Sequence, residues 1–321
     1  MNGEWAAPVP ASCAKLQASM KKIVRYIRDY AAGTDKRLFM LSTVFIGVFI
    51  FINYRFRLNY HINSLPEPLQ YAGWYAVFFL AFSFAYLCNA LLNGKKELKQ
   101  RSFLVLLLLA PLLFAWKMAF DMELDLSPNR FQNNYWNQVL YWPYKLVGMT
   151  AALWLVWKLR REDQPFYGCS LHNFKARPYW IMLLIMVPLV AAASTQPDFL
   201  AVYPKLKNVA YLRHLPDSGL YKLLFELSYG SDFVGIELFF RGFLVLAFVW
   251  YAGQGAILPM ALFYCTIHFG KPLGECISSY FGGLLLGIVT YHTRTIAGGL
   301  MVHLGIAWMM ELGGYLGNLY R

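Results

Sequence analysis

The stretch DFVGIELFFRGFLVLAFVW, residues 232–250, places Glu237 and Arg241 inside an otherwise apolar run of helix length. An ionised side chain at bilayer depth costs about 2.5–3.5 kcal/mol on insertion scales, so such groups face a protein interior or a cavity and take a partner. Glu237 and Arg241 are that kind of pair. They are four residues apart, on one helix face a turn apart, with the acid before the base. Two readings follow: an ion pair that only holds helices in register, or part of a functional site.

The next apolar segments bear on that choice. ILPMALFYCTIHFG, residues 257–270, carries His268 near its end, and GGLMVHLGIAWMMELGG, residues 298–314, carries His303 well inside. A lone intramembrane histidine is often a core residue with its hydrogen bonds satisfied. A glutamate and two histidines on separate helices of one bundle can instead converge to activate a water, which is general-base chemistry. The same three could ligate a metal. No HExxH or similar local ligand pair is present, so no metal is assigned and no cofactor is expected, although a divalent ion stays open.

IELFFRG with Glu237 and Arg241, YCTIHFG with Tyr264 and His268, the glycine-rich YFGGLLLGIVTYHTRT, and MVHLGIAW with His303 together resemble the CPBP family of CAAX-protease and bacteriocin-processing (Abi-type) intramembrane proteins. The resemblance covers roughly the last third of the chain and rests on the order and spacing of four elements. It implies an all-helical membrane bundle and a glutamic intramembrane protease. The family's first motif has two adjacent glutamates, three residues and an arginine; its second an aromatic with histidine four residues on; its third a histidine with asparagine four residues on. The first glutamate and the histidines are taken to activate water, and the asparagine to stabilise the oxyanion.

Two positions depart from this pattern. Ile236 stands at the first glutamate and Ala307 at the asparagine. Glu237 matches the second glutamate, the one placed to pair with Arg241. Helix neighbours point about 100° apart, so Glu237 replaces its missing neighbour only if the helix rotates. Asp232, one turn before Ile236 on the same face, is a possible auxiliary; it also reads as the N-cap of this helix.

Composition gives the class independently. Hydrophobic residues make up 58% of the chain and charged residues 14%, and the long apolar runs repeat, so the class is an all-α polytopic membrane protein. The net charge of +12 gathers at the ends of apolar runs, as topology requires, and does not indicate nucleic acid. Residues 1–37 form a basic cytoplasmic segment with Lys15, Lys21, Lys22, Arg25, Arg28, Lys36 and Arg37; the apolar run after it is too long for a cleavable signal peptide. Within it Leu16, Met20, Ile23 and Ile27 recur at helical spacing, which fits a helix lying on an anionic membrane surface or a solvated cytoplasmic helix.

About nine spans are expected, at 38–54, 69–92, 102–120, 139–157, 180–193, 233–250, 257–269, 277–292 and 296–312, with a short helix at 220–228 leading into the first motif. This divides the chain into 1–37, membrane helices and loops over 38–218, and a protease-like core over 219–321. The loops KKELKQR and KLRRED to KARP are basic, whereas DMELDLSPN is acidic, which orients the N-terminus to the cytoplasm. With an odd span count the C-terminus and the pocket then face outward, in a bacterial inner (plasma) membrane.

Cys13, Cys88, Cys169, Cys265 and Cys276 form no CxxC pattern and read as reduced thiols. Cys265, three residues before His268, is weighed as a nucleophile and set aside. Gly283 and Gly287 form a GxxxG expected to serve internal packing. The function expected is an intramembrane endopeptidase acting on a membrane-embedded or lipid-anchored protein or peptide, with Glu237 and His268 positioning water and His303 stabilising the oxyanion. The alternative is a catalytically silent scaffold of the same fold that binds a membrane partner or peptide. Membrane lipid is the other partner, and the sequence does not fix the oligomeric state.

Overall fold

In the computed structural model, residues 11–94, 96–160, 165–172, 174–214 and 218–319 are described, and within them every element is helical. Residues 1–10 of the basic segment, and the side chains of Lys15, Leu16 and Cys13, lie outside the described part.

The long helices are α1 (Ala11–Gly33), α2 (Lys36–Phe56), α4 (Glu67–Asn93), α5 (Arg101–Ala119), α6 (Arg130–Arg160), α7 (Arg177–Ala193), α9 (Ser218–Glu237), α12 (Leu273–Thr293) and α13 (Ala297–Leu319). Short α3 (Leu58–Asn63), α8 (Pro197–Val202), α10 (Val249–Ala252) and α11 (Ile257–Thr266) link them. Leucine, valine and phenylalanine point outward along several of them. Val44, Val48 and Phe51 of α2, and Leu184, Ile185 and Leu189 of α7, are all exposed. Charged residues lie inside: Glu237, Arg241 and Lys145 are buried. A water-soluble domain keeps its ionisable groups outward, so this inverted arrangement is that of a chain whose outer solvent is hydrocarbon.

Among the described residues six helical runs are long and apolar enough to cross a membrane, or seven if α7 and the segment Pro197–Val209, bent by 95°, count as one. The nine expected segments are all helical, but they divide differently. Segments 233–250 and 257–269 belong to one 49-residue run, Ser218–Thr266. A straight helix of that length would measure about 74 Å, more than twice the ~30 Å hydrocarbon core. The run folds back at Gly253–Ala256, where Gly253 has a φ of 55°, and α11 packs against the segment after α9 and against α4. The ninth segment forms α13, which carries His303 and Glu311 and is not among the six.

Phenylalanine supplies the central core. Phe78 and Phe82 of α4, Phe114 of α5, Phe239, Phe240 and Phe243, and Phe263 of α11 are at most 1% exposed. They meet edge-on or tilted, as Phe114 and Phe240 do at 5.0 Å and 61°, the arrangement that the ring quadrupole favours. Gly283 and Gly287 let α12 close on Tyr264, Ala261, Met260 and Ile257 of α11. The GxxxG thus serves internal packing.

The basic helix α1 packs on the bundle through a face that includes its tyrosines. Ile23, Tyr26 and Tyr30 are buried, and Tyr26 stacks on His292 of α12 at 4.1 Å with ring planes 6° apart. Ile27 stays exposed. The helix docks on α12 and α7 through Ile23 and the tyrosines. The tyrosines, which lie outside the Leu16–Met20–Ile23–Ile27 stripe, set the packed face.

Candidate functional site

The helix bearing the first motif begins earlier than its apolar pattern suggests. α9 starts at Ser218, absorbing the short helix expected at 220–228, so Glu237 lies at its C-terminal end and not in its first turns. Asp232 is therefore mid-helix and caps nothing. Its carboxylate pairs instead with Lys117 of α5 at 2.7 Å.

At Glu237 the helix changes character. Leu238–Ala247 winds as a π-helix with every residue buried. Its hydrogen bonds reach one residue further than in an α-helix, and such insertions are frequent at functional sites. Gly242 sits in this segment because the loop of Tyr167 presses on it: a Cβ there would stand 2.7 Å from the Tyr167 carbonyl oxygen. Backbone does not yield as a flexible side chain does, so only glycine fits.

The ionisable residues converge on Glu237. Its Oε1 lies 3.0 Å from Arg241 Nη1, with both side chains fully buried, and accepts a hydrogen bond from His303 Nδ1 at 2.9 Å. His303 Nε2 is 3.1 Å from the Tyr264 hydroxyl. The Arg241 guanidinium lies 4.0 Å from the centroid of the Tyr264 ring, a cation–π contact worth about 2 kcal/mol when desolvated. Glu237, Arg241, Tyr264 and His303 thus form one cluster drawn from three helical segments. Glycine makes room for it again. A Cβ at Gly299 of α13 would come within 2.3 Å of Glu237 Oε2.

His268 stands at the edge of this cluster, half-buried in the turn after α11. Its Nδ1–H donates to the Tyr264 carbonyl at 3.0 Å, which leaves Nε2 as the acceptor. Its ring meets the Tyr264 ring at 4.8 Å. The expectation had Glu237 and His268 sharing one water. Glu237 contacts Arg241 and His303 instead, and His268 contacts Tyr264. Glu237 has no exposure, whereas His303 is 13% exposed.

The two departures from the family pattern are packed into the main core. Ile236 is 8% exposed and Ala307 4%. Tyr264 does more than its place in the second motif implied, because its phenol reaches His303 and its face carries Arg241; the i, i+4 spacing with His268 hid that cross-helix role. Lys117, the partner of Asp232, is a functional-site neighbour that apolar patterning does not point to; its one signal in the sequence is a lysine in the last turn of an apolar span. Cys265 contacts Cys276, with the sulfurs 3.9 Å apart, and its thiol is directed to the Cys276 carbonyl. Among the described residues no three His, Cys, Asp or Glu side chains gather as a metal site.

Residues 224–309 match the family model described as Type II CAAX prenyl endopeptidase Rce1-like. That interval contains Glu237, Arg241, Tyr264, His268 and His303, the residues on which the resemblance to the CAAX-protease family rests. The match supports a CAAX-type intramembrane protease kind of function. No curated protein and no solved structure matches the chain.

Proposed function

We propose that the chain is an intramembrane endopeptidase that hydrolyses a membrane-embedded or lipid-anchored protein or peptide, with His303 as general base and Glu237 as the group that orients it. The observation that carries this reading is the continuous link from Glu237 Oε1 through both nitrogens of His303 to the Tyr264 hydroxyl. A carboxylate accepting from Nδ1–H fixes the tautomer, so Nε2 carries the lone pair that takes a proton from water, and it stabilises the imidazolium that forms.

The resting structure has the Tyr264 hydroxyl within hydrogen-bond distance of that nitrogen. When a peptide enters, the phenolic O–H turns to the scissile carbonyl, and Nε2 is freed for the attacking water. Tyr264 then supplies the oxyanion donor that an asparagine at 307 would otherwise give. His268, with Nε2 free to accept, holds the same water from a second direction. The proton taken by His303 passes to the leaving amine, and the products are a new carboxylate and a new amine.

Burial supports a polar guest as well. Glu237 Oε2 and Arg241 Nε and Nη2 are buried without a hydrogen-bond partner in the protein, and unsatisfied polar groups in low dielectric are strengthened by any molecule that completes them. The family that the chain matches over 224–309 suggests a prenyl-anchored CAAX substrate. The positive-inside pattern supports a cytoplasmic N-terminus.

In proteoliposomes with a co-reconstituted prenylated peptide, His303→Gln should lower cleavage by about 100-fold or more, the usual worth of a positioned base, while the protein stays folded. Tyr264→Phe should lower it by a similar factor through the lost oxyanion donor. Full activity in His303→Gln would remove the histidine from the mechanism.

A further inference from the structure

Two cysteines beside the candidate site take no part in the peptidase reading. Cys265 stands at the end of α11 and Cys276 at the start of α12, and both are fully buried. Their sulfurs are 3.9 Å apart. The Cys265 thiol donates to the Cys276 carbonyl at 3.3 Å, and the Cys276 thiol points back to the Cys265 carbonyl at 3.8 Å. A single buried cysteine packs as a small hydrophobe. Two whose sulfurs meet across a helix interface form a dithiol. Cys88 and Cys169, by contrast, are not buried.

The packing and the hydrogen bonds both admit a bond between them. Gly283 and Gly287, which let α12 close on α11, lie on the helix face that carries Cys276. A disulfide sets its sulfurs about 2.05 Å apart, so the pair has about 2 Å left to close. Joining them removes two S–H donors, yet neither carbonyl is left bare. The Cys265 carbonyl also accepts from the His268 N–H at 3.1 Å, and the Cys276 carbonyl from the Ser279 hydroxyl at 2.7 Å. No buried acceptor therefore loses its last partner.

The turn between the two, residues 266–275, carries His268. That histidine hangs on this end of α11: its N–H on the Cys265 carbonyl and its Nδ1–H on the Tyr264 carbonyl. The far half of the turn is held separately, by the Tyr54 hydroxyl donating to the Lys271 carbonyl at 2.6 Å. Drawing Cys265 towards α12 thus shifts His268 and Tyr264 against the rest of the site.

We propose that Cys265 and Cys276 are a reversible redox switch: a small hydroperoxide joins them in a disulfide that closes a ring around the His268 turn and lowers cleavage. The loss of cleavage rests on the peptidase reading, and the bond does not. The N–H of Cys276 closes the first turn of α12 on the Pro272 carbonyl, and a helix N-terminus favours a thiolate. Its sulfur attacks one peroxide oxygen, the O–O bond breaks, and the thiol proton leaves with the other oxygen as water. The sulfenic acid so formed is attacked by the Cys265 sulfur. The S–S bond forms, the S–O bond breaks, and the second thiol proton leaves in a second water. Two electrons pass from the sulfurs to the peroxide.

The test treats full-length protein in phosphatidylcholine nanodiscs with hydrogen peroxide, alkylates the remaining thiols after denaturation, and maps the peptides by mass spectrometry. Cys265 and Cys276 should appear linked, and dithiothreitol should free them. Cleavage of a co-reconstituted prenylated peptide should fall about tenfold or more in the linked form, since a misplacement of about 1 Å costs up to about 100-fold, and should return with dithiothreitol. Methionine sulfoxide is not reversed by that reagent, so the recovery isolates the thiols. In Cys276→Ser peroxide should leave cleavage unchanged; if that variant does not fold, the native protein before and after dithiothreitol decides the matter. Two thiols that both remain alkylatable, or a sulfinic acid without a link, overturn the proposal. So does a bond that leaves cleavage as it was, or an equal fall in Cys276→Ser. If the bond forms and reopens while the reduced protein cleaves nothing, the peptidase reading fails, and the dithiol stands on slower amide exchange over 266–275 in the linked form.

Discussion

Glu237 divides its work between its two oxygens. Oε1 meets both Arg241 and His303, and Oε2 lies against the bare Cα of Gly299. Removing Arg241 would leave a carboxylate unpaired in low dielectric, and breaking such a pair costs about 3–5 kcal/mol. Arg241→Ala should therefore lower the melting temperature in detergent and the yield of folded protein, and an unchanged melting temperature would count against the pairing. Gly299→Ala tests the other oxygen. The added methyl would displace the carboxylate from His303, so cleavage should fall steeply while circular dichroism shows the helices retained. The pair and both histidines were legible in the sequence because charge is conspicuous in an apolar run. Their geometry was not: His303 rather than His268 touches Glu237, and helical spacing within one segment says nothing of contacts between α9 and α13.

The π-helical segment after Glu237 shows what patterning cannot reach at the level of an element. Leu238–Ala247 is apolar in almost every position, so it has no face whose period could reveal the wider winding. Gly242 marks the place where this segment meets the Tyr167 loop, and Gly242→Ala should destabilise the protein by about 1–3 kcal/mol, the usual cost of overpacking, read as a lower melting temperature. The spans themselves were legible from length and hydropathy, whereas their linkage was not. Asp232 shows why: read locally it precedes an apolar run and resembles a cap, but α9 has already made several turns before it, stabilised by packing on α6. At the membrane-proximal end of α2, Asp35 accepts from the Arg37 N–H and side chain, which holds its carboxyl down to about 2. A carboxyl lowered on folding stabilises above its unfolded value near 3.8 and loses that contribution as pH falls towards about 2. Asp35→Ala should flatten the acid limb of a stability profile in that window and leave neutral-pH topology alone.

The whole molecule is a helical bundle that exposes aliphatic side chains and buries its charges, with a candidate reaction centre where α9, α11 and α13 meet. The resemblance in the last third of the sequence and the family match over 224–309 agree on the kind of chemistry. Composition established the membrane class; the number of crossings depended on where one helical run folds back, which a hydropathy pattern does not encode. The central claim is that this chain hydrolyses peptides with Glu237 orienting His303, in spite of isoleucine at 236 and alanine at 307. It is tested most directly by measuring cleavage of a co-reconstituted prenylated peptide by the native protein, by Glu237→Gln, and by the double variant Ile236→Glu with Ala307→Asn. The account predicts cleavage by the native protein and its loss in Glu237→Gln, with both proteins folded. Cleavage that appears only in the double variant would contradict it, and would mark the native chain as a silent member of the fold that binds its peptide without cutting it.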